Sequence, residues 1–356
     1  MLALVTDAYG GRGGIAQYNR DFLGSIAEIN ILSSITVLPR QAPDPPQPPR
    51  GIRQLRAHAG RIAYSVAALR TALVQPVELV FCGHLFMAPL AAWIATINQA
   101  KLIVQTHGIE VWSPPTKMQR AAVEQADLVL SVSRHTRAAV LSWATVAPER
   151  VLVVPNTVRE IFTPGDGSAR RAAMGLGGKR VLLTVGRLEP REQYKGQDRV
   201  IAAIPGLVAK GYDIHYLIVG EGDDRARLEG LARDARVSDR VHFLGGVELH
   251  SLVELYRMAD LFVMPSTGEG FGVTFLEAMA SGTPTLGLDV AGTRDALGEG
   301  ELGIAVSENE VPSAIARLLN EPKADPGALA AAARDRFGRE TFEARARMLW
   351  NRLIES

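Results

Sequence analysis

Short apolar runs with the composition of buried strands alternate with longer helical stretches along most of the chain. The runs in the first half are Leu2–Asp7, Ser34–Leu38, Leu79–Gly83, Leu102–Thr106, Leu128–Ser133 and Val151–Pro155. The runs in the second half are Val181–Gly186, His215–Gly220, Val241–Leu244, Leu261–Pro265 and Thr283–Leu288. Apolar strands separated by helices are typical of parallel sheets that helices cover on both faces. The pattern predicts an α/β protein with two doubly wound parallel sheets.

One segment near the middle of the chain interrupts this alternation. Residues 155–167 carry prolines and glycines, which disfavour a regular element and suit an interdomain connection. The length of 356 residues also exceeds one ordinary hydrophobic core. We therefore predict two Rossmann-like domains, residues 1–163 and 164–339, and a C-terminal helix at about 340–356 that packs back on the first domain.

An amphipathic helix with a basic face is predicted after a proline-rich loop. Apolar residues recur every three or four positions, at Ile52, Leu55, Ala59, Ile62, Val66, Leu69 and Leu73. Arg50, Arg53 and Arg61 fall opposite this stripe, and residues 40–75 carry six arginines against one aspartate, a charge of 6 − 1 = +5. Two interpretations stay open: a solvated helix face packed on the sheet, or attraction of residues 50–75 to an anionic membrane surface.

The overall charge does not favour a nucleic-acid partner. The chain has 39 basic and 38 acidic residues, a formal charge of +1. Its single cysteine, Cys82, excludes an intrachain disulfide and a cysteine-based zinc cluster. The uncharged stretch from Leu79 to Ile97 is long enough to span a bilayer, but Gly83 and Pro89 favour a strand followed by a short helix. We expect a cytoplasmic protein, at most peripheral at the inner face of the membrane.

A glycine-rich turn follows the first predicted strand. In Gly10–Ala16 the backbone N–H groups could approach a phosphate, and the next helix would add partial positive charge. Gly11–Ala16 also fits a dinucleotide fingerprint, although the second strand ends at Arg40 rather than at the acidic residue that holds a ribose. A phosphate site, a dinucleotide site and a plain strand-to-helix turn therefore all stay open.

Cations follow the first strand of the second half. Arg187, Arg191 and Lys195 leave the carboxyl end of a predicted parallel strand, which is where such sheets bind ligands. A diphosphate would use fixed cations at that place. A solvated charged loop is the alternative.

The segment Glu269–Glu277 follows a buried strand, at the ligand-binding edge of the second sheet. Its glycines free the backbone, and a helix predicted to begin near Val273 would point unpaired N–H groups at a phosphate. Glu277, about one turn into that helix, could accept the two vicinal hydroxyls of a ribose. The alternative is surface charge that complements the helix dipole.

In combination these motifs resemble the retaining glycosyltransferase family 4 over nearly the whole chain. The motifs that carry the resemblance are Glu269-x7-Glu277, Gly186-Arg187, Lys195-Gly196, Val219–Gly222, Ala259–Ser266, Glu277–Gly282, Gly13-Gly14, Thr106–Gly108 and Pro155-Asn156. The resemblance implies the GT-B architecture, two Rossmann-like domains facing across a cleft. The second domain would bind the nucleotide-sugar donor, and the first would bind the acceptor.

The resemblance also implies roles for single residues. Arg187 and Lys195 would neutralise the donor diphosphate, and Glu277 would bind the ribose. Donor contacts would further come from Glu269 with the backbone of Phe271, Gly272 and Val273, and from Gly13 and Gly14 of the opposite domain. His107 would lie beside the reacting carbon.

The function that the resemblance implies is transfer of a hexose, from GDP-mannose or a UDP-hexose, with retention of configuration. We expect a saccharide acceptor, lipid-linked as in surface-polysaccharide assembly, and no cofactor. The sequence has no Asp-x-Asp, so we expect a metal-independent enzyme. Arg187 and Lys195 lie eight positions apart, farther than is common in the family. An NAD(P)-dependent oxidoreductase using the Gly11–Ala16 turn, or a non-catalytic sugar-nucleotide-binding protein, are the alternatives.

Overall fold

The structure, a computed structural model, describes residues 1–29, 32, 34–44, 46–322 and 325–355. The chain divides into two compact units. Unit 1 comprises Met1–Thr157 and the C-terminal segment from Glu340, and unit 2 comprises Val158–Arg339.

Unit 1 is built on a parallel sheet with the strand order β3-β2-β1-β4-β5-β6-β7 in the described residues. Its strands are β1 (Leu2–Val5), β2 (Ile35–Pro39), β3 (Ile52–Gln54), β4 (Leu79–Cys82), β5 (Lys101–Thr106), β6 (Leu128–Ser131) and β7 (Val151–Val153). Its helices are α1 (Gly14–Glu28), α2 (Arg61–Val74), α3 (Ala88–Asn98), α4 (Lys117–Gln125), α5 (Arg134–Trp143) and α14 (Arg339–Glu355). The six strands predicted for the first half are confirmed.

Unit 2 has a second parallel sheet, with the order β10-β9-β8-β11-β12-β13 in the described residues. Its strands are β8 (Arg180–Val185), β9 (Ile214–Val219), β10 (Val241–Gly245), β11 (Leu261–Met264), β12 (Thr285–Leu288) and β13 (Ile304–Val306). Its helices are α6 (Ser168–Ala173), α7 (Gln197–Ala209), α8 (Arg225–Asp234), α9 (Leu249–Met258), α10 (Val273–Ala280), α11 (Thr293–Ala296), α12 (Val311–Asn320) and α13 (Pro326–Phe337). The prediction missed β13, a half-buried strand of three residues.

Both sheets reverse their strand order at one point. In unit 1 the order turns between β1 and β4, and in unit 2 between β8 and β11. Open α/β sheets bind ligands outside the carboxyl ends of the strands at such a switch point. The fold therefore marks one ligand-binding edge in each unit.

The predicted helix over residues 52–73 is wrong in its first half. Ile52 pairs with Ile35 in the edge strand β3, and the side chain of Gln54 bonds to the backbone of Tyr9 at 2.7 and 3.1 Å. These contacts hold the segment extended, and the helix begins only at Arg61.

The predicted apolar stripe is also not the buried face of α2. Tyr64, Ala68 and Ala72 face the core, whereas Ile62 is 82% exposed and Leu73 is 74% exposed. The small alanines bring the helix close to the core of unit 1. Leu69 of the predicted stripe packs partly buried against that core, whereas Ile62, Val66 and Leu73 remain exposed.

The boundary between the units falls before Val158, earlier than the position near Thr163 that the sequence suggested. Val158 N–H donates to the carbonyl of Phe337 at 3.0 Å, and the buried Phe162 ring lies 5.7 Å from that of Tyr256. These contacts tie the segment after Thr157 to unit 2. At the other end, the Phe342 ring of α14 packs edge-on against Tyr18 of α1 within unit 1.

Residues 79–97 form β4, a short turn and α3, as the sequence predicted. In the described part of the chain, no helix combines the length and apolar character needed to cross a membrane.

Candidate active site

The switch point of unit 2 gathers four charged side chains, Arg187, Glu192, Lys195 and Glu269, which we call the charged cluster. Arg187 follows β8, and Glu269 follows β11, so both leave the sheet at its ligand-binding edge. Lys195 Nζ lies 3.2 Å from Glu269 Oε1 and 3.9 Å from Glu192 Oε2. Arg187 Nη2 contacts Glu192 Oε1. The structure thus brings together three of the predicted site residues, Arg187, Lys195 and Glu269, with one unpredicted carboxylate.

The loops that carry these charges are fixed by backbone hydrogen bonds. Thr267 N–H donates to the carbonyl of Tyr194 at 2.8 Å, which joins the Glu269 loop to the segment before Lys195. Gly292 N–H donates to the carbonyl of Glu269 at 2.9 Å. Burial disfavours the Lys195 ammonium, but Glu269, Tyr194 and Glu192 outweigh it and raise its pKa. Lys195 is therefore a fixed cation at neutral pH.

The helix α10 begins beside this cluster with an uncapped N-terminus. Gly272 precedes it with φ of +102°, a conformation that favours glycine, and no side chain caps the first turn. The first N–H groups of a helix have no partners within it, and together they carry partial positive charge. The predicted helix start at Val273 is confirmed. Phe271 anchors the turn, since its buried ring packs edge-on 5.5 Å from Phe337.

Glu277 lies one turn into α10 and is buried. Tyr256 Oη donates to Glu277 Oε2 at 3.0 Å, and Arg159 Nη2 lies 3.5 Å from Oε1. Burial raises the pKa of Glu277, while Arg159 and Tyr256 act in the opposite direction. The carboxylate is therefore oriented by two protein partners, and it does not belong to the charged cluster.

In unit 1 the glycine-rich turn connects β1 to α1. Gly13 has φ of +87° and precedes α1 without a side-chain cap, and both Gly13 and Gly14 are exposed. Arg20 Nη1 donates to the carbonyls of Ala8 and Gly11, at 2.8 Å each, which holds the shape of the turn. An exposed and uncapped helix N-terminus at a switch point can accept an anion.

His107 lies at the end of β5, near the same edge of unit 1. Its Nε2 is 2.9 Å from the carbonyl oxygen of Gly83, which can only accept, so Nε2 carries the proton and Nδ1 is left as an acceptor. Burial lowers the pKa of His107, although Glu110, the Gly83 carbonyl and Asp7 oppose this effect. The imidazole is therefore neutral at physiological pH.

Cys82 and His84, to which we assign no catalytic role, make structural contacts. The Cys82 thiol donates to the His84 carbonyl at 3.1 Å, and His84 Nδ1 accepts from Phe86 N–H at 3.2 Å. Burial raises the pKa of Cys82 to about 12 and lowers that of His84 to about 4, so both side chains are neutral.

Comparison with known proteins shows the family of the chain. Residues 13–160 match the family described as Glycosyltransferase Family 4, and residues 169–343 match Glycosyl transferases group 1. The chain is 30% identical to a GDP-mannose-dependent alpha-(1-6)-phosphatidylinositol monomannoside mannosyltransferase of Mycolicibacterium smegmatis, covering 93% of this chain and 91% of that protein. The chain belongs to glycosyltransferase family 4.

Further similarities support the fold of this glycosyltransferase. A D-inositol 3-phosphate glycosyltransferase of Mycolicibacterium gilvum is 30% identical, covering 77% of this chain and 63% of that protein. Among solved structures, a sucrose-phosphate synthase from Thermosynechococcus elongatus has a TM-score of 0.81 at 23% identity, covering 99% of each chain. HepE of Anabaena in complex with UDP has a TM-score of 0.79 at 20% identity, covering 99% of this chain and all of that one. The GT-B fold of two Rossmann-like domains, expected from the sequence, is confirmed.

Four residues of the glycosyltransferase at these sites were not predicted from the sequence. Asp7 lies two positions after the end of β1, and its place near a strand end was a usable signal. No sequence signal pointed to Glu192, Tyr256 or Arg159. They lie in a loop, a helix and a linker, and no repeat or motif of the sequence connects them to a site. Their roles follow from tertiary contacts with Arg187 and Glu277.

Proposed function

We propose that this glycosyltransferase moves a hexose from a nucleoside-diphosphate sugar to a hydroxyl of a saccharide acceptor, with retention of configuration. The observation that carries the proposal is the meeting of Arg187, Lys195 and the uncapped start of α10 at the switch point of unit 2. Two cations and a helix N-terminus are suited to a diphosphate. The M. smegmatis relative is named as GDP-mannose-dependent, and HepE was solved with UDP.

In this proposal the chain itself stabilises the leaving group. A departing nucleoside diphosphate gains negative charge, and cations already in place lower the energy of that transition state. Arg187, Lys195 and the dipole of α10 would provide this charge without a metal ion. Within the described residues, no three His, Cys, Asp or Glu side chains are grouped so that they could hold a metal.

The two glutamates would bind opposite ends of the donor. Glu269, held by Lys195, would accept hydrogen bonds from hydroxyls of the transferred sugar. Glu277, oriented by Tyr256, would accept the ribose hydroxyls. Gly13, Gly14 and the backbone of Phe271, Gly272 and Val273 complete the proposed donor contacts.

Retention fits an attack from the side of the leaving group. The departing phosphate oxygen would take the proton of the acceptor hydroxyl, so no protein base is needed. The neutral state of His107 suits a place beside the reacting carbon, because an added positive charge would oppose the oxocarbenium character that develops there. If an α-linked donor gave a β-linked product in an NMR analysis, the retaining mechanism would be wrong.

The acceptor is proposed to be lipid-linked and reached at an anionic membrane surface. Ile62, Val66, Arg70 and Leu73 follow each other at helical spacing along α2, and all four are exposed. Exposed aliphatic side chains with an arginine on one helix face suit a bilayer that carries anionic headgroups. The neighbouring helix α3 adds the exposed Trp93. We call Ile62, Val66, Arg70 and Leu73 the apolar-basic face.

The donor proposal is tested by thermal unfolding in the presence of GDP, UDP, GDP-mannose and UDP-glucose. A ligand that binds the folded state raises the unfolding temperature in proportion to the logarithm of its concentration over Kd. We expect at least one nucleoside diphosphate and its sugar to stabilise the protein, and the same sugar nucleotide to support transfer. NADH is the control for the oxidoreductase alternative. Stabilisation by NADH alone would refute the donor proposal.

A binding protein without turnover is the second alternative. Release of the nucleoside diphosphate from the stabilising donor separates it from an enzyme, since a pure binding protein leaves the donor intact. We expect slow release without acceptor, through transfer to water, and faster release with an acceptor saccharide. A donor that remains intact under both conditions would contradict the proposed activity.

A further inference from the structure

Glu192 occupies an unusual position for a carboxylate in a proposed diphosphate site. The side chain is buried, with 7% of the residue exposed, and lies between Arg187 and Lys195. Its Oε1 contacts Arg187, while its Oε2 lies 3.9 Å from Lys195 Nζ. Oε2 is buried without a hydrogen-bond partner in the structure. One negative charge thus faces the two cations that the donor would need.

The segment that carries Glu192 is the long loop between the two cations. Residues Pro190–Lys195 form an irregular 3-10 turn in which Glu192 leaves helical geometry. Gln193 Nε2 donates to Asp224 Oδ1 at 3.0 Å, and Glu192 N–H donates to the carbonyl of Glu189 at 2.8 Å. The eight-position separation of Arg187 and Lys195 provides the length that places a carboxylate between them.

We infer that Glu192 is a resident counter-anion of the diphosphate site, which the nucleoside diphosphate must displace when it binds. This inference rests on the proposed function, because it assigns the cations to a diphosphate. A carboxylate stabilises two nearby cations while the site is empty. A diphosphate placed on the same cations meets like-charge repulsion from it. Donor binding would therefore move Glu192, and with it the turn that joins Arg187 to Lys195.

The opposite role would be that Glu192 holds the cations in the orientation that the diphosphate requires. The two roles predict changes of opposite sign when the charge is removed. If Glu192 competes with the ligand, its loss strengthens binding. If it positions Arg187 and Lys195, its loss weakens binding.

Calorimetric titration of the full chain with GDP and UDP separates these roles. We expect Glu192→Gln to lower the Kd of whichever nucleotide binds, by about tenfold or more, because a buried charge near the ligand is removed. Glu189→Gln is the matched control: it removes a charge from the same loop, and Glu189 is not among the carboxylates that raise the pKa of Lys195. We expect its Kd to stay within about twofold of the unmodified protein.

The outcomes are distinct. An unchanged or higher Kd for Glu192→Gln, with normal binding by the unmodified protein, overturns the counter-anion role and leaves the proposed function intact. Absence of GDP and UDP binding in both the unmodified protein and Glu192→Gln defeats the proposed function itself. If Glu192→Gln fails to fold by circular dichroism, Glu192→Asp replaces it. The aspartate side chain is one methylene shorter, which moves the negative charge away from the cations. A lower Kd would then support displacement of Glu192 by the nucleotide, and a higher Kd would support a role in positioning Arg187 and Lys195.

Discussion

At the scale of single residues, Arg187 and Arg191 can be compared directly, because the same loop carries both. Both side chains are exposed, but Arg187 contacts Glu192 in the charged cluster, whereas Arg191 lies outside that cluster in the same loop. Both were candidates for the diphosphate from sequence alone, because both follow β8. The contact with Glu192 separates them, and it depends on a tertiary arrangement that spacing along the chain does not specify.

We predict that Arg187→Ala lowers kcat by about 10²- to 10³-fold, because a cation that stabilises the departing diphosphate is lost. Arg191→Ala should leave kcat within about twofold, since its charge lies outside the cluster that is proposed to hold the diphosphate. Steady-state kinetics with saturating donor measure both values. Equal losses in the two variants would show that the loop acts through its total charge and would contradict a specific role of Arg187.

Glu277 gives a second prediction through its pKa, which burial raises. Ribose hydroxyls need the ionised carboxylate as an acceptor, so the donor KM should rise as the pH falls, beginning above the ordinary glutamate value. Tyr256 Oη lowers this pKa by its hydrogen bond. Tyr256→Phe should therefore move the onset to higher pH, whereas Tyr212→Phe, elsewhere in unit 2, should not. If the donor KM depended on pH in the same way in the Tyr256 variant and the unmodified protein, the proposed binding of ribose by Glu277 would be contradicted.

At the scale of elements, the hydrophobic pattern predicted a helix or strand correctly where one repeat covered one element. The apolar runs located the strands, and Gly272 marked the start of α10 because a helix can begin after a glycine at positive φ. The helix over residues 52–73 failed because its periodicity covered two elements. Strand pairing of Ile52 overrode the helical pattern, and α2 packed through Tyr64, Ala68 and Ala72 instead of Ile62 and Leu73.

The exposed residues of α2 lead to a prediction about membranes. We expect the protein to co-sediment with vesicles of phosphatidylglycerol and phosphatidylcholine, and less so with phosphatidylcholine alone or at high salt. Replacing Ile62 and Leu73 by Ser should weaken binding markedly, because each buries aliphatic surface in the interface. Met348→Ser on α14 is the control, as Met348 is also exposed but lies outside the apolar-basic face. Vesicle binding that does not depend on lipid charge, and that is the same in the Ile62 and Leu73 variant as in the Met348 variant, would contradict this docking surface.

At the scale of the whole molecule, the architecture followed from sequence more readily than the site. Two sets of buried strands, separated by residues 155–167, were enough to predict two parallel-sheet units. The exact boundary was not predictable, because Val158 and Phe162 join unit 2 through contacts with residues far along the chain. The switch points explain why the predicted residues cluster: strand order places Arg187 and Glu269 at adjacent strand ends.

The positive groups at the proposed diphosphate site lead to a final prediction, that transfer does not require a divalent metal. Lys195 is held as a cation by its raised pKa, and the helix dipole of α10 acts beside it. Together with Arg187 they would supply the positive charge that a magnesium ion provides in other transferases. The initial rate after dialysis against EDTA should therefore equal the rate with added Mg²⁺ or Mn²⁺. A rate that falls on chelation and returns with Mn²⁺ would show that these cations do not suffice, and Glu192 and Glu269 would then be the first carboxylates to test as metal ligands.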